Sequence, residues 1–306
     1  MARYELWRPR ERVRILLLGR NGQVGWELQR SLAPVGEIVA PERSGLDLSD
    51  PEGLATAIRS LRPDVIVNAA AYTAVDRAET DMDLAVRVNA DAPDVLAREA
   101  ARIDALLVHY SSDYIFSGAG HVPWRESDPA GPINAYGRSK LAGEVAIGEA
   151  GCRHVILRTS WVFAARGQNF LRTMLRLAEE RDELAVIDDQ CGAPTGAELI
   201  ADVTAHVVRH AAGNAAVEGI YHLAAAGETS WFRYAVHVIE SARSAGAPVR
   251  VPRESIRPIA TSEYRTAARR PLNSRLDTSK LRDRFGLTLP GWQVGVERVV
   301  HEVLGR

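Results

Sequence analysis

A doubly wound α/β fold, a parallel sheet covered by helices on both faces, is what the sequence predicts. Three observations carry it: short continuous apolar runs alternate with helical patterns through the first half, the first run ends directly in a three-glycine turn, and the composition points to no other class. The 306 residues are 46% hydrophobic and 25% charged, an ordinary globular balance that allows one large domain or two. A formal net charge of -1 leaves no basic footprint for nucleic acid and no polybasic signal for a membrane. No apolar run approaches the ~18 residues of a membrane span. Cys152 and Cys191 lie far apart without metal-site spacing and read as free thiols of a cytoplasmic protein. Residues 1–12 alternate charge and hold no apolar segment of a secretory signal, so a loose tail is expected there.

Residues 13–18 (VRILLL) form the first buried strand, with a helix after the glycines around residues 26–32. Residues 35–40 make the second strand. Residues 51–61 read as a helix, since Ser49 and Asp50 precede Pro51 at a first-turn position that tolerates proline. A strand at 65–67, a long helix at 82–101 and a strand at 106–110 follow. A helix ending at Glu149 then leads to a fifth strand at 155–157. This gives a nucleotide-binding domain over residues 13–165. Beyond it, helices are expected at 170–180, 198–210 and 230–245, and strands at 184–187 and 220–223 that still join the main sheet. Residues 248–276, rich in Pro, Arg and Ser, read as irregular. Residues 166–306 are therefore expected to form mainly a smaller lobe, interleaved with the last strands and helices of the first domain, over the carboxyl edges where such sheets bind ligands.

Gly19-Arg20-Asn21-Gly22-Gln23-Val24-Gly25 stands strand–turn–helix. Glycines there let the backbone approach a pyrophosphate seated at a helix N-terminus. At the end of the second strand Glu42 can accept from the ribose hydroxyls of NADH, and Arg43 can meet the 2′-phosphate of NADPH, so both cofactors stay open. Asp47 and Leu48 can hold the adenine. Tyr136 and Lys140 are four apart, which on a helix puts phenol and ammonium on one face. A fixed cation nearby brings a phenol of pKa about 10 towards the working range. Ser112, where the fourth strand ends, can hold a carbonyl oxygen beside that phenol.

With these segments in place, the chain resembles the extended short-chain dehydrogenase/reductases, and within them the reductases of dTDP-linked 4-keto-6-deoxyhexoses. The matching segments are GRNGQVGWELQR (19–30), VNAAAYTAVDRAE (67–79), YSSDYIFSG (110–118), YGRSKLAGE (136–144), RTSWVF (158–163), DDQCGAPTGAEL (188–199) and ARRPLNSRLD (268–277). The family usually has threonine where Ser112 stands, and serine keeps the hydroxyl. The resemblance implies reduction of the C4 ketone of dTDP-4-dehydro-β-L-rhamnose by NADPH or NADH. It implies that Ser112, Tyr136 and Lys140 form the catalytic set. Gly19, Asn21, Gly22, Gln23 and Val24 would line the pyrophosphate, and Ala69, Ala70, Ala71, Tyr72 and Thr73 would run along the cofactor. Asp113, Tyr114 and Trp161 would meet the sugar. It further implies a homodimer with Mg²⁺ held by Glu27, Glu198 and Glu302. Two other readings stand beside this one: a reductase or epimerase of another nucleotide sugar, and a non-catalytic regulatory subunit of the methionine adenosyltransferase type. The intact Ser112, Tyr136 and Lys140 weigh against the second.

Overall fold

The computed structural model describes residues 13–211 and 214–305; the tail expected over residues 1–12 lies outside them. In chain order the strands are β1 (Arg14–Leu18), β2 (Glu37–Val39), β3 (Val65–Asn68), β4 (Leu106–Ser112), β5 (His154–Thr159), β6 (Val162–Phe163), β7 (Leu184–Ile187), β8 (Cys191–Gly192), β9 (Thr195–Gly196), β10 (Gly219–His222), β11 (Thr229–Ser230) and β12 (Ile256–Ile259). The helices are α1 (Gln23–Leu32), α2 (Pro51–Leu61), α3 (Met82–Val86), α4 (Ala92–Ile103), α5 (Ala135–Glu149), α6 (Phe170–Glu180), α7 (Ala197–Ala211), α8 (Trp231–Ser244), α9 (Ser279–Phe285) and α10 (Trp292–Val303).

Six strands form one parallel sheet in the order β10-β5-β4-β3-β1-β2. The strands are apolar on both faces because both faces are covered. Ile15, Leu17, Val65 and Val67 enter one core with α1 and α7, while Leu16, Leu18 and Ile66 enter the other with α2 and α4. The chain moves outward from β1 to β2 and then returns to β3 on the opposite side. That reversal opens a crevice at the carboxyl ends of β1 and β3, where ligands of such sheets bind. A separate core joins α6, α8 and α10 around Phe163, Tyr234 and Trp292.

Three expectations need correction. Residues 184–187 do not join the main sheet; as β7 they pair in parallel with β12 in a two-stranded sheet of their own. β12 lies inside the stretch expected to be irregular. Its exposed residues, Arg257 and Pro258, give no apolar alternation to read. The helix expected at 82–101 is broken by a π-turn over Arg87–Asp91 between α3 and α4. By contrast, residues 220–223 do lie with the main sheet, through β10 beside β5.

Candidate active site

The glycine turn and the carboxyl ends of β1, β3 and β4 open into a cleft of about 800 Å³. Gly19 has φ +85°, and a Cβ there would sit 2.7 Å from the Ala69 carbonyl carbon. At Gly25 a Cβ would sit 2.0 Å from the Gly19 oxygen, so only glycine lets α1 begin this close to the turn. The N-cap residue of α1, Gly22, supplies no side-chain bond to the first amides of the helix. The result is a backbone-lined cradle at a helix N-terminus, an arrangement that suits an anion. Asn21, Gly22, Gln23 and Val24 line it, together with Asp47, Leu48 and residues 69–73.

Arg43 reaches this cleft and Glu42 is not among its lining residues. The Arg43 guanidinium Nε donates to Asp47 Oδ2 at 3.1 Å. The Ser49 amide and hydroxyl also donate to Asp47, and with Arg43 they hold its carboxyl below the usual range. Sequence reasoning missed Arg20, which lines the cleft and donates through Nη1 to the Ala40 oxygen at 3.0 Å. It also missed Gly167 and Gln168, which arrive from the loop before α6. Neither contact has a spacing that a linear reading can find.

At the other end of the cleft, α5 starts at Asn134, whose Oδ1 accepts from the Gly137 amide at 2.7 Å. That start sets the phase of the helix and turns Tyr136 and Lys140 together into the cleft. Ser112 Oγ donates to Asp113 Oδ1 at 3.0 Å and accepts from the Tyr114 amide at 3.1 Å. Asp113 is 2% exposed, and its Oδ2 has no hydrogen-bond partner among the described residues. Burial pushes it up to about 6, with Ser274 and Ser112 opposing. The Tyr114 and Tyr136 rings meet edge to face with centroids 5.6 Å apart.

Burial, with Asp113 adding to it, pushes the Tyr136 phenol up to about 12, while the Ser112 hydroxyl opposes. This departs from the expectation that Lys140 draws the phenol down. The Lys140 Nζ is engaged elsewhere: it donates to the Tyr110 oxygen at 2.6 Å and lies 3.2 Å from His109 Nε2. Burial brings the lysine itself down to about 8, with Glu144 opposing.

Trp161 adopts φ +50°, a strained backbone for a non-glycine residue. Its ring stacks on Trp231 with centroids 3.7 Å apart. A Cβ at Gly192 would lie 2.8 Å from Trp161 Cε2, so β8 leaves a slot for the indole. The π-turn has a comparable task. It aims Asn89 at the backbone of Tyr72, accepting from its amide at 2.8 Å and donating to its oxygen at 3.0 Å. Asn89 also donates to Ser139 of α5 at 3.0 Å and so ties the loop after β3 to α5.

The three glutamates expected to hold Mg²⁺ do approach one another, since Glu27 and Glu302 both help raise the Glu198 carboxyl after burial. They do not fit a hard cation within this chain. Glu198 is paired with Arg298 at 2.9 Å and Glu27 with Arg30 at 3.5 Å. No group of three His, Cys, Asp or Glu among the described residues can hold a metal ion.

A glycine cradle at the switch point of a parallel sheet, with a helical tyrosine–lysine pair opening into the same cleft, defines the class: a Rossmann-fold oxidoreductase of the short-chain dehydrogenase/reductase type. The family model described as the RmlD substrate binding domain matches residues 13–304, and the chain belongs to that family. It is 52% identical over 293 residues to the dTDP-4-dehydrorhamnose reductase of Escherichia coli (strain K12), covering 94% of this chain and 97% of that one. It is 50% identical over 300 residues to the protein of the same name from Burkholderia thailandensis, covering 96% and 100%. The crystal structure of dTDP-4-dehydrorhamnose reductase from Bacillus anthracis str. Ames in complex with NADP superposes with a TM-score of 0.86 at 34% identity, over 95% of this chain and 99% of that one.

Proposed function

We propose that this protein reduces the C4 ketone of dTDP-4-dehydro-β-L-rhamnose with NADPH, giving dTDP-L-rhamnose. The observation that carries the reading is the single cleft that joins the glycine cradle to Tyr136 and Lys140. The names of the relatives above supply the sugar, and the NADP of the Bacillus anthracis structure supports the cofactor.

Gly19, Asn21, Gly22, Gln23 and Val24 hold the pyrophosphate, Asp47 and Leu48 the adenine, and Ala69, Ala70, Ala71, Tyr72 and Thr73 the path towards the nicotinamide. Arg43 stands where a 2′-phosphate needs a cation. When bound, the cofactor supplies the hydride. A phenol as weak as Tyr136 stays protonated at neutral pH and gives its proton only to a strong base, which the ketone oxygen becomes as hydride arrives. Ser112 hydrogen-bonds the same oxygen once its hydroxyl leaves Asp113. Lys140 then balances the negative charge on the tyrosine. Asp113 takes a sugar hydroxyl on its unpaired Oδ2, Tyr114 adds its phenol, and Trp161 covers the apolar face of the 6-deoxyhexose.

Residues 13–165 carry the cofactor in this reading, and 166–306 mainly the sugar. A cytoplasmic homodimer completes it. No helix of the described residues is long and apolar enough to cross a membrane. Trp26 on α1 and Val294 on α10 are 44% and 61% exposed, on two of the helices whose glutamates meet, which suits a self-association face.

The test is the loss of NADPH absorbance with dTDP-4-dehydrorhamnose generated in situ. Oxidation that needs both enzyme and sugar, with a product co-migrating with dTDP-L-rhamnose, is expected. No sugar-dependent oxidation of NADPH or NADH would overturn the reading.

A further inference from the structure

Three buried polar side chains form a row that the reduction above uses only at one end. Asn68, His109 and Lys140 are 1%, 1% and 2% exposed and come from β3, β4 and α5. The Ala70 amide donates to Asn68 Oδ1 at 3.2 Å. That contact decides which way the asparagine amide faces, because a peptide N–H needs an oxygen opposite it. Its Nδ2 is therefore the atom 3.1 Å from His109 Nδ1, and it donates to that nitrogen.

A neutral imidazole has one N–H, and burial beside Lys140 keeps His109 neutral, well below its ordinary value. With Nδ1 accepting, the ring proton sits on Nε2, which faces Lys140 Nζ at 3.2 Å. An amine has a lone pair to receive that N–H. An ammonium has none, so it would oppose one N–H with another. To accept a charged lysine the ring must move its proton to Nδ1, and Asn68 must turn over and abandon Ala70. The Tyr110 carbonyl accepts from either form, more strongly from the ammonium, so the ring and the carbonyl pull the lysine in opposite directions.

We infer that Asn68 locks His109 as its Nε2–H tautomer and that this ring, acting through Lys140, is a positioning residue that sets the charge of the lysine in the proposed reduction. Its catalytic consequence rests on that reading, whereas the tautomer does not. The other groups around Lys140 are known. Glu144, one turn on in α5, favours the charged lysine but is itself gripped by Arg158 at 2.7 Å. Tyr136 lies one turn back on the same helix. Burial favours the amine and brings the lysine down to about 8.

The test exploits an accident of composition: Lys140 and Lys280 are the only two lysines of the sequence. Whole protein labelled with [ε-¹³C]lysine gives two resonances, which Lys280→Arg assigns. Ring-¹⁵N histidine labelling reports the tautomer of His109, assigned by His109→Gln. In the wild type, His109 is expected to carry its proton on Nε2 above the Lys140 midpoint, and Lys140 to titrate at least about one pH unit below Lys280. In His109→Gln an amide oxygen can accept from the ammonium, so the Lys140 midpoint should rise by about half a pH unit or more, roughly threefold in proton affinity. Asn68→Asp should move the ring proton to Nδ1. A wild-type ring protonated on Nδ1 above the Lys140 midpoint overturns the inference even if both variants fail to fold. So does a Lys140 midpoint unmoved in a folded His109→Gln. The limb of kcat/KM assigned to Lys140 should follow the midpoint measured by NMR. A moved midpoint with an unmoved limb removes the positioning role. Absence of any sugar-dependent turnover in the wild type, with both spectra as expected, overturns the proposed function and leaves the tautomer lock standing.

Discussion

Asp113 is the residue at which the candidate site works against the fold. Its folded pKa of about 6 lies above that of an unfolded aspartate, about 3.9. Between those values the folded chain holds a proton that the unfolded chain has lost, so stability falls as pH rises through the window and stays lower above it. Asp113→Asn removes the ionisation. Its melting temperature should lose the downward slope between about pH 4 and 6 and exceed the wild type at neutral pH, where the variant should be more stable by about 1–3 kcal/mol. Thermal melts across pH 4–8 check this, and an unchanged slope would place the carboxylate in water. The gain should come with weaker sugar turnover, the usual exchange of stability for a strained site. Tyr136→Phe keeps the ring packed on Tyr114 and removes only the hydroxyl. It should lower kcat by about two orders of magnitude or more while NADPH binding, followed by fluorescence, stays within about twofold. Near wild-type kcat at any pH would displace Tyr136 as the proton donor.

Much at this scale was legible, because the glycine turn and the tyrosine–lysine pair are local patterns whose spacing maps directly onto geometry. Asn68, Asn89 and His109 were not. A neutral polar residue in a buried strand or turn carries no periodic signal. Its importance comes from partners 17 to 50 positions away, such as Tyr72, Ser139 and Lys140.

Among the elements, the long alternations of strand and helix were readable through β5 because each strand is apolar on both faces. The reading weakened where a strand shrinks to two residues, as in β8, since so short a run has no period, and where exposed polar and proline residues break the apolar run, as in β12. The GAPTGAEL segment shows what such a short strand does. β8 pairs with β11 antiparallel and leaves at Gly192 the space that the Trp161 ring needs. Gly192→Ala should therefore push the indole off its stack with Trp231. The expected result is a KM for the dTDP sugar raised by about tenfold, roughly the 1–2 kcal/mol of a disturbed aromatic contact. NADPH affinity should not move, because the cradle lies on the other side of the cleft. An equal loss for both ligands would show that the strand supports the whole site and not the sugar end alone.

For the whole molecule, the glutamates of α1, α7 and α10 show how far a resemblance reaches. It placed three carboxylates near one another, and Glu27 and Glu302 do add, after burial, to the rise of the Glu198 carboxyl. It did not reveal Arg298, one turn before Glu302 on α10, which supplies the positive charge in place of an ion. Melting curves and sedimentation profiles in EDTA and in excess Mg²⁺ should accordingly superpose. A magnesium-dependent rise in melting temperature would mean that assembly rebuilds these carboxylates into a site that one chain lacks.

The sheet order also has a consequence for how the chain is made. β10 closes the sheet at its β5 edge, yet it is encoded at residues 219–222. During synthesis on the ribosome, β1 to β5 emerge first and wait more than fifty residues for their last neighbour. Until it arrives, β5 presents a bare row of amides and carbonyls to any passing strand. A fragment ending at residue 165 contains every cofactor contact proposed above, but it should collect in inclusion bodies, whereas one ending after α10 should fold. If the shorter piece is monomeric and binds NADPH, β10 is an ornament and not a closure.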